Sequence, residues 1–158
     1  MRHARISVSL LLGSFFGAAM IAASFAYFNY KFAEYKFVNF KEWTFYEKSS
    51  IFQPKEDYYI VVFYSSKVAG TYEKLRDANA SYPVLAIDYY QQSFENSKNT
   101  QSLRAGTNTN LKLIQRFNIY HIPTVFIIKK VKDSLYKQDS MIHKLDTLDK
   151  ISTKLQEF

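Results

Sequence analysis

The sequence predicts an α/β domain, a central mixed sheet flanked by helices, preceded by one membrane-spanning helix. Three observations carry this. The 25 residues from Ile6 to Tyr30 hold no charged side chain, and a helix of about 20 apolar residues crosses the hydrocarbon core. Two short runs, Tyr59-Ile60-Val61-Val62-Phe63 and Val84-Leu85-Ala86-Ile87, are β-prone without polar alternation, the pattern of strands buried on both faces. Between them Val68, Tyr72, Leu75 and Ala78 recur at helical spacing. A strand, helix, strand succession implies a right-handed parallel unit.

The chain is read in four parts: a short cytoplasmic leader over 1–5, a transmembrane signal-anchor helix over 6–30, a juxtamembrane aromatic segment with a first edge element over 31–57, and an α/β domain over 58–158. A cleaved signal peptide competes with the anchor, because Arg2 and Arg5 form a basic leader and Ser24-Phe25-Ala26 resembles a small-x-small cleavage site. Against it, the apolar stretch outruns an ordinary signal sequence, and Tyr27, Phe28, Tyr30 and Lys31 suit an interfacial anchor. Arg2 and Arg5 are balanced by Lys31, Lys36 and Lys41 across the span, so the positive-inside count alone leaves the orientation open. The short basic leader favours a cytoplasmic N-terminus with the domain outside. Within the span Gly13, Ser14, Gly17, Ala18 and Ala22 form a ridge of small residues, which either lets a second helix approach or reflects the ordinary richness of membrane helices in Ala and Gly.

Further elements follow in order. Residues 31–57 are aromatic without a clean period and read as a helix extension followed by an edge strand or short helix. Ser66 is placed to cap the helix that carries Val68 to Ala78. Residues 89–108 are polar and read as a surface insertion. Leu111, Ile114 and Phe117 share a face of a short helix that Asn118 suits as an end. Ile119 to Lys129 reads as a strand with Pro123 at its entrance, Ser134 to Leu145 as its partner, and Asp146 as the start of a last helix carrying Leu148, Ile151, Leu155 and Phe158.

Composition excludes several functions. The net charge is +7, but the cations are scattered, so nucleic acid is not expected as a partner; a mild preference for an anionic membrane surface is all the charge supports. The chain has no cysteine, which removes disulfides, thiolate metal sites and cysteine nucleophiles. His121 and His143 are isolated imidazoles, Ser65-Ser66 has no nucleophile-elbow frame, and Gly70 alone makes no phosphate loop. No catalytic residue, metal or cofactor is therefore expected, and the chain reads as no enzyme.

The order of elements, with Val61-Val62-Phe63-Tyr64 before the first helix, Ala86-Ile87-Asp88 closing the next strand and Tyr120-His121-Ile122-Pro123-Thr124 opening another, resembles the thioredoxin-like superfamily. The resemblance covers about residues 58–158 and implies a three-layer sandwich with a cis bond before Pro123. The family's Cys-containing loop falls on Lys67-Val68-Ala69-Gly70-Thr71; Val68 and Thr71 replace both sulfurs, and Val62 replaces the buried acid, so thiol exchange is lost. A polypeptide-binding surface is what the resemblance leaves, on Tyr64, Lys67, Val68, Ala69, Gly70, Thr71, His121, Ile122 and Pro123. It implies a redox-inactive, membrane-tethered chaperone or assembly factor for an envelope protein. The alternative is a permanent subunit of an inner-membrane machine (secretion, respiratory or flagellar), and a homodimer is also compatible with the helix ridge. Asp77-Ala78-Asn79-Ala80-Ser81 reads either as an acidic extended glycosylation sequon on Asn79, which would place the domain in the periplasm of a bacterial inner-membrane protein, or as a polar helix end.

Overall fold

In the computed structural model, which describes residues 7–34, 36–147 and 149–158, the N-terminal unit is a single helix, α1 (Val8–Glu34). At 1.5 Å per residue its 27 residues extend about 40 Å. The stretch Leu12–Lys31 is long and apolar enough to cross a membrane, and Leu12, Phe15, Phe16, Met20, Ile21, Phe25 and Phe28 are exposed around it, so the helix is apolar on every side. Arg2, Arg5 and Ile6, invoked for the leader and the start of the span, lie outside the described residues, as does Leu148.

The second unit, Lys36–Phe158, is organised by β4 (Tyr58–Tyr64), whose β-branched and aromatic run is buried on both faces. On one side β4 pairs parallel with β5 (Val84–Asp88), and β5 pairs parallel with β6 (Thr100–Ala105). On the other side β7 (Thr124–Lys132) runs antiparallel to β4, and β8 (Leu135–Gln138) antiparallel to β7. Alternate residues of β4 feed two cores. Tyr59, Val61 and Phe63 pack with Leu113 and Phe117 of α3 (Thr107–Phe117), while Ile60, Val62 and Tyr64 pack with Leu75 of α2 (Thr71–Arg76) and with Ile151 and Leu155 of α4 (Asp149–Glu157). The sheet therefore lies between helical layers, and Asn118 ends α3 in the left-handed conformation. The Ile122–Pro123 bond is cis. Parallel β4-α2-β5, then α3, a cis-proline and the antiparallel β7–β8 pair closed by α4, make the domain thioredoxin-like.

Both outer edges of the sheet come from residues 37–51. β1 (Phe37–Asn39) lies beside β8, whereas β2 (Phe45–Glu47) lies beside β6 with β3 (Ser50–Ile51) outside it. The chain between them carries Phe40 and Trp43 into the α3-side core. The Phe40 ring meets Phe45, Phe52 and Tyr136 at centroid distances of 5.4, 5.5 and 5.4 Å. The helix extension and the edge strand read in 31–57 correspond to the end of α1 and to β1; the aromatics that follow, Phe40, Trp43, Phe45 and Phe52, belong to the core and are spaced by its shape, and not by a helical or strand period.

Three further expectations differ. Residues 100–105, expected within a surface insertion, are an inner strand whose buried Thr100 and Ser102 are satisfied by hydrogen bonds: the Thr100 hydroxyl donates to the Leu75 carbonyl at 2.8 Å, and the Ser102 hydroxyl accepts from the Phe94 N–H at 3.1 Å. Of the expected insertion, residues 89–99 run irregularly, and Gly106 links β6 to α3. Ser66 does not cap α2; the helix begins after Gly70, with no side-chain cap. The single strand expected over 134–145 is two, β8 and β9 (His143–Lys144), which both pair with β7.

Candidate functional site

The register Phe63↔Thr124 between β4 and β7 sets the loop after Tyr64 and the peptide before Thr124 at one end of two adjacent strands. Tyr64 also pairs with Asp88 on β5. The loop 65–70, the turn after Asp88 and the Tyr120–Pro123 segment therefore converge at the same end of the sheet, as the family resemblance implies for Lys67–Thr71 and Ile122–Pro123.

Asp88, fully buried, organises that end. One carboxylate oxygen accepts from the Ser66 N–H at 2.7 Å, and the other accepts from the Ser66 hydroxyl and the Gln92 N–H, each at 2.8 Å. A buried carboxylate needs such donors, because its desolvation is otherwise uncompensated. From the α3 side, the Asn110 amide donates to the carbonyls of Asp88 and Tyr89 at 3.3 and 3.4 Å, while its buried oxygen has no partner. Burial first, and the Asp88 charge second, push the Tyr64 hydroxyl above the usual tyrosine range.

The nine proposed binding residues separate by exposure. Lys67, Val68, Ala69, Gly70 and His121 are exposed, and Ile122 is half-buried. Val68 is 47% exposed, whereas Thr71 is 1% exposed, its hydroxyl donating to the Val68 carbonyl at 2.7 Å. Of the two positions that the family resemblance sets in place of sulfurs, one therefore faces solvent and the other braces the loop. Tyr64 is likewise interior at 1%, its ring 6.3 Å from that of Phe94, and Pro123 is buried with its carbonyl accepting from the Leu145 N–H at 3.0 Å. The side chains of Tyr64 and Thr71 thus support the surface rather than form it. Among the described residues, no group hydrogen-bonds the N–H or the C=O of Ile122.

Several residues at this end were not singled out from the sequence. Tyr89 and Tyr90 are 44% and 42% exposed, their rings 5.0 Å apart, and the Lys67 ammonium lies 4.2 Å from the Tyr90 centroid. Tyr120 is 79% exposed. Asp88 was legible only as a strand end; a carboxylate closing an otherwise apolar buried run was the available signal.

Elsewhere, no group of three His, Cys, Asp or Glu able to hold a metal occurs among the described residues. His143 sits half-buried beside the Phe158 ring at 5.5 Å. In α1, Gly13, Gly17, Ala18 and Ala22 are exposed, and open space surrounds the positions a Cβ would take at both glycines; Ser14 is exposed on the same helix. Asn79 is exposed in the irregular stretch after α2.

No family model matches the chain, and no curated protein matches its sequence. Among solved structures it is similar to the pneumococcal exposed lipoprotein thioredoxin Etrx1 from Streptococcus pneumoniae strain TIGR4, at 20% identity and a TM-score of 0.38 over 65% of this chain and 85% of that one. The assignment of the fold rests on the strand topology described above.

Proposed function

We propose that the chain is a membrane-tethered, non-enzymatic binding domain that holds an extended segment of another envelope protein as a chaperone or assembly factor. The observation that carries this reading is the peptide of Ile122, which no group among the described residues hydrogen-bonds, at the same end of the sheet as the exposed Val68-Ala69-Gly70 turn and the Tyr89–Tyr90 pair. A guest strand laid along Ile122 satisfies both backbone groups, and its side chains reach the turn and the aromatic rings. Nothing in this requires a sulfur, and the chain contains none in cysteine, so thiol exchange through its own side chains is closed to it.

In this reading α1 is a retained single-pass anchor in a bacterial inner membrane and the domain is periplasmic. The exposed, irregular setting of Asn79 suits modification there; mass spectrometry of the Asn79 peptide tests it, an unmodified peptide from native membranes counting against it. Binding is tested by placing a photo-crosslinking residue at Ala69 and, as control, at Val131 in native membranes. Capture of one envelope protein from Ala69 and not from Val131 is expected. Equal capture from both sites, or none, sinks the binding role.

A second reading, a permanent subunit of an inner-membrane complex or a homodimer, rests on the ridge of small residues Gly13, Ser14, Gly17, Ala18 and Ala22 in α1. It expects Gly17→Leu or Ala18→Leu to dissociate the complex in detergent extracts, with little effect from changes at the Ile122 end.

A further inference from the structure

The opposite end of the sheet carries a different surface. Directly opposed residues of neighbouring strands point to the same face, and the registers Phe37↔Lys137, Lys137↔Lys129 and Lys129↔Tyr58 align these four side chains in one row across β1, β8, β7 and β4. The irregularity between Lys130 and Lys132 sets Lys132 opposite Leu135, two residues from Lys137 on β8, and so returns a third lysine to that face. Lys129, Lys132 and Lys137 are all exposed. The Lys129 ammonium lies 5.1 Å from the Tyr58 centroid, and Tyr58 stacks on Tyr82 at 5.1 Å.

Two like charges facing each other across strands destabilise a sheet, yet Lys129 and Lys137 face each other with no ion pair to either among the described residues. Asp57 and Asp139 act on Lys129 only from beyond ion-pair distance. The row starts at Phe37, one residue after this unit begins at Lys36, and the apolar span ends shortly before, at Lys31. Lysines interleaved with aromatic rings are the composition of a lipid headgroup interface.

We infer that the row Lys129, Lys132 and Lys137, with Phe37, Tyr58 and Tyr82, is a docking surface for anionic phospholipid headgroups. The charge complementarity is local, because it relieves the repulsion between Lys129 and Lys137. Tyr58 and Tyr64 are separated by six residue steps of β4, about 20 Å, so a domain docked through this row presents the Ile122 end away from the bilayer. The inference rests on the proposed reading of α1 as a membrane span, and deepens it by fixing which end of the domain meets the lipid.

The full chain contains no cysteine, so Val131→Cys near the row and Ala69→Cys at the far end each accept one fluorophore. Both are reconstituted in vesicles whose headgroups carry an energy acceptor. With phosphatidylglycerol in the phosphatidylcholine, transfer from Val131→Cys should rise above its value in pure phosphatidylcholine and fall again in high salt, while transfer from Ala69→Cys stays low. Each Lys→Gln change in the row should lower the docked-to-undocked ratio about fivefold, and the three together on the order of 100-fold. Lys137→Glu should weaken docking yet raise the thermal midpoint without lipid, which separates lost attraction from misfolding. Transfer indifferent to phosphatidylglycerol, or unchanged in the triple variant, overturns the inference. Flotation with pure phosphatidylcholine vesicles after an alkaline wash reads α1 separately: flotation with anionic vesicles alone overturns the span and supports the row.

Discussion

Replacing Asp88 by Asn tests how the candidate site is held. One oxygen of Asp88 meets a single donor, the Ser66 N–H, and the other meets two, the Ser66 hydroxyl and the Gln92 N–H. An amide nitrogen at the first position would face a donor it cannot accept from, so the amide should turn its nitrogen to the second. There the Ser66 hydroxyl can rotate to accept, and only the Gln92 N–H is left without its acceptor. One charge-assisted bond is lost and the other two become neutral, costing about 1 to 2 kcal/mol. Asp88→Ala removes all three bonds and should cost about 2 to 4 kcal/mol, softened because Ser66 and Gln92 are exposed to water. The readout is urea unfolding of the full chain in detergent, followed by Trp43, the sole tryptophan, which is 4% exposed in the core. Amide exchange adds the residue-level test: Asp88→Asn should release Gln92 and spare Ser66, whereas Asp88→Ala should release both. Unfolding within about 0.5 kcal/mol of the parent for both variants, or release of Ser66 in Asp88→Asn, would refute the reasoning.

Other outcomes follow from the same structure. Gly70 has φ +80° with open space where a Cβ would sit, so Gly70→Ala should cost about 1 kcal/mol through backbone strain alone, read by the same Trp43 transition. Thr100→Val leaves the Leu75 carbonyl without the Thr100 hydroxyl and should destabilise by about 1 kcal/mol, with faster exchange in α2. The hydroxyls of Tyr64 and Tyr136 are both raised, burial being the first cause in each. Above the ordinary tyrosine value near 10 the unfolded chain gives up these protons while the folded one keeps them, so their contribution, complete below that pH, is lost as pH rises. Phenolate absorbance should show these two rings silent until the domain unfolds in alkali; their early titration would contradict their burial.

How much of this was legible depended on what each segment packs against. The β4 and β5 runs are buried on both faces, and the helical period of α4 is set by a single core, so both patterns survive in the sequence; in α3 the buried residues beside Phe117 are Leu113 and Asn110, and Leu111, expected on that face, is exposed. β6 was hidden because Thr100-Gln101-Ser102-Leu103-Arg104-Ala105 contains one large apolar residue, and its buried hydroxyls are satisfied by Leu75 and Phe94 backbone groups that sequence does not reveal. Residues 36–57 were obscured for the opposite reason, being rich in aromatics whose positions follow the contour of a core built from distant strands. At the candidate site the loop and the proline were readable as a pair. The interior orientation of Tyr64 and Thr71 was not, because it depends on strand parity at the sheet end and on where α2 begins.

Residue 36 enters the domain through β1, a three-residue ladder on β8 at the outer edge. Any tension carried along the polypeptide from the N-terminal side is therefore borne first by that short ladder. Unravelling from this side meets resistance at Phe40, whose ring is clasped by Phe45, Phe52 and Tyr136, before it reaches β4. Pulling on the N-terminal side of the domain should consequently strip a strand from the margin before it disturbs the Asp88 clamp or the Ile122 end, so that the domain yields first at its outermost ladder.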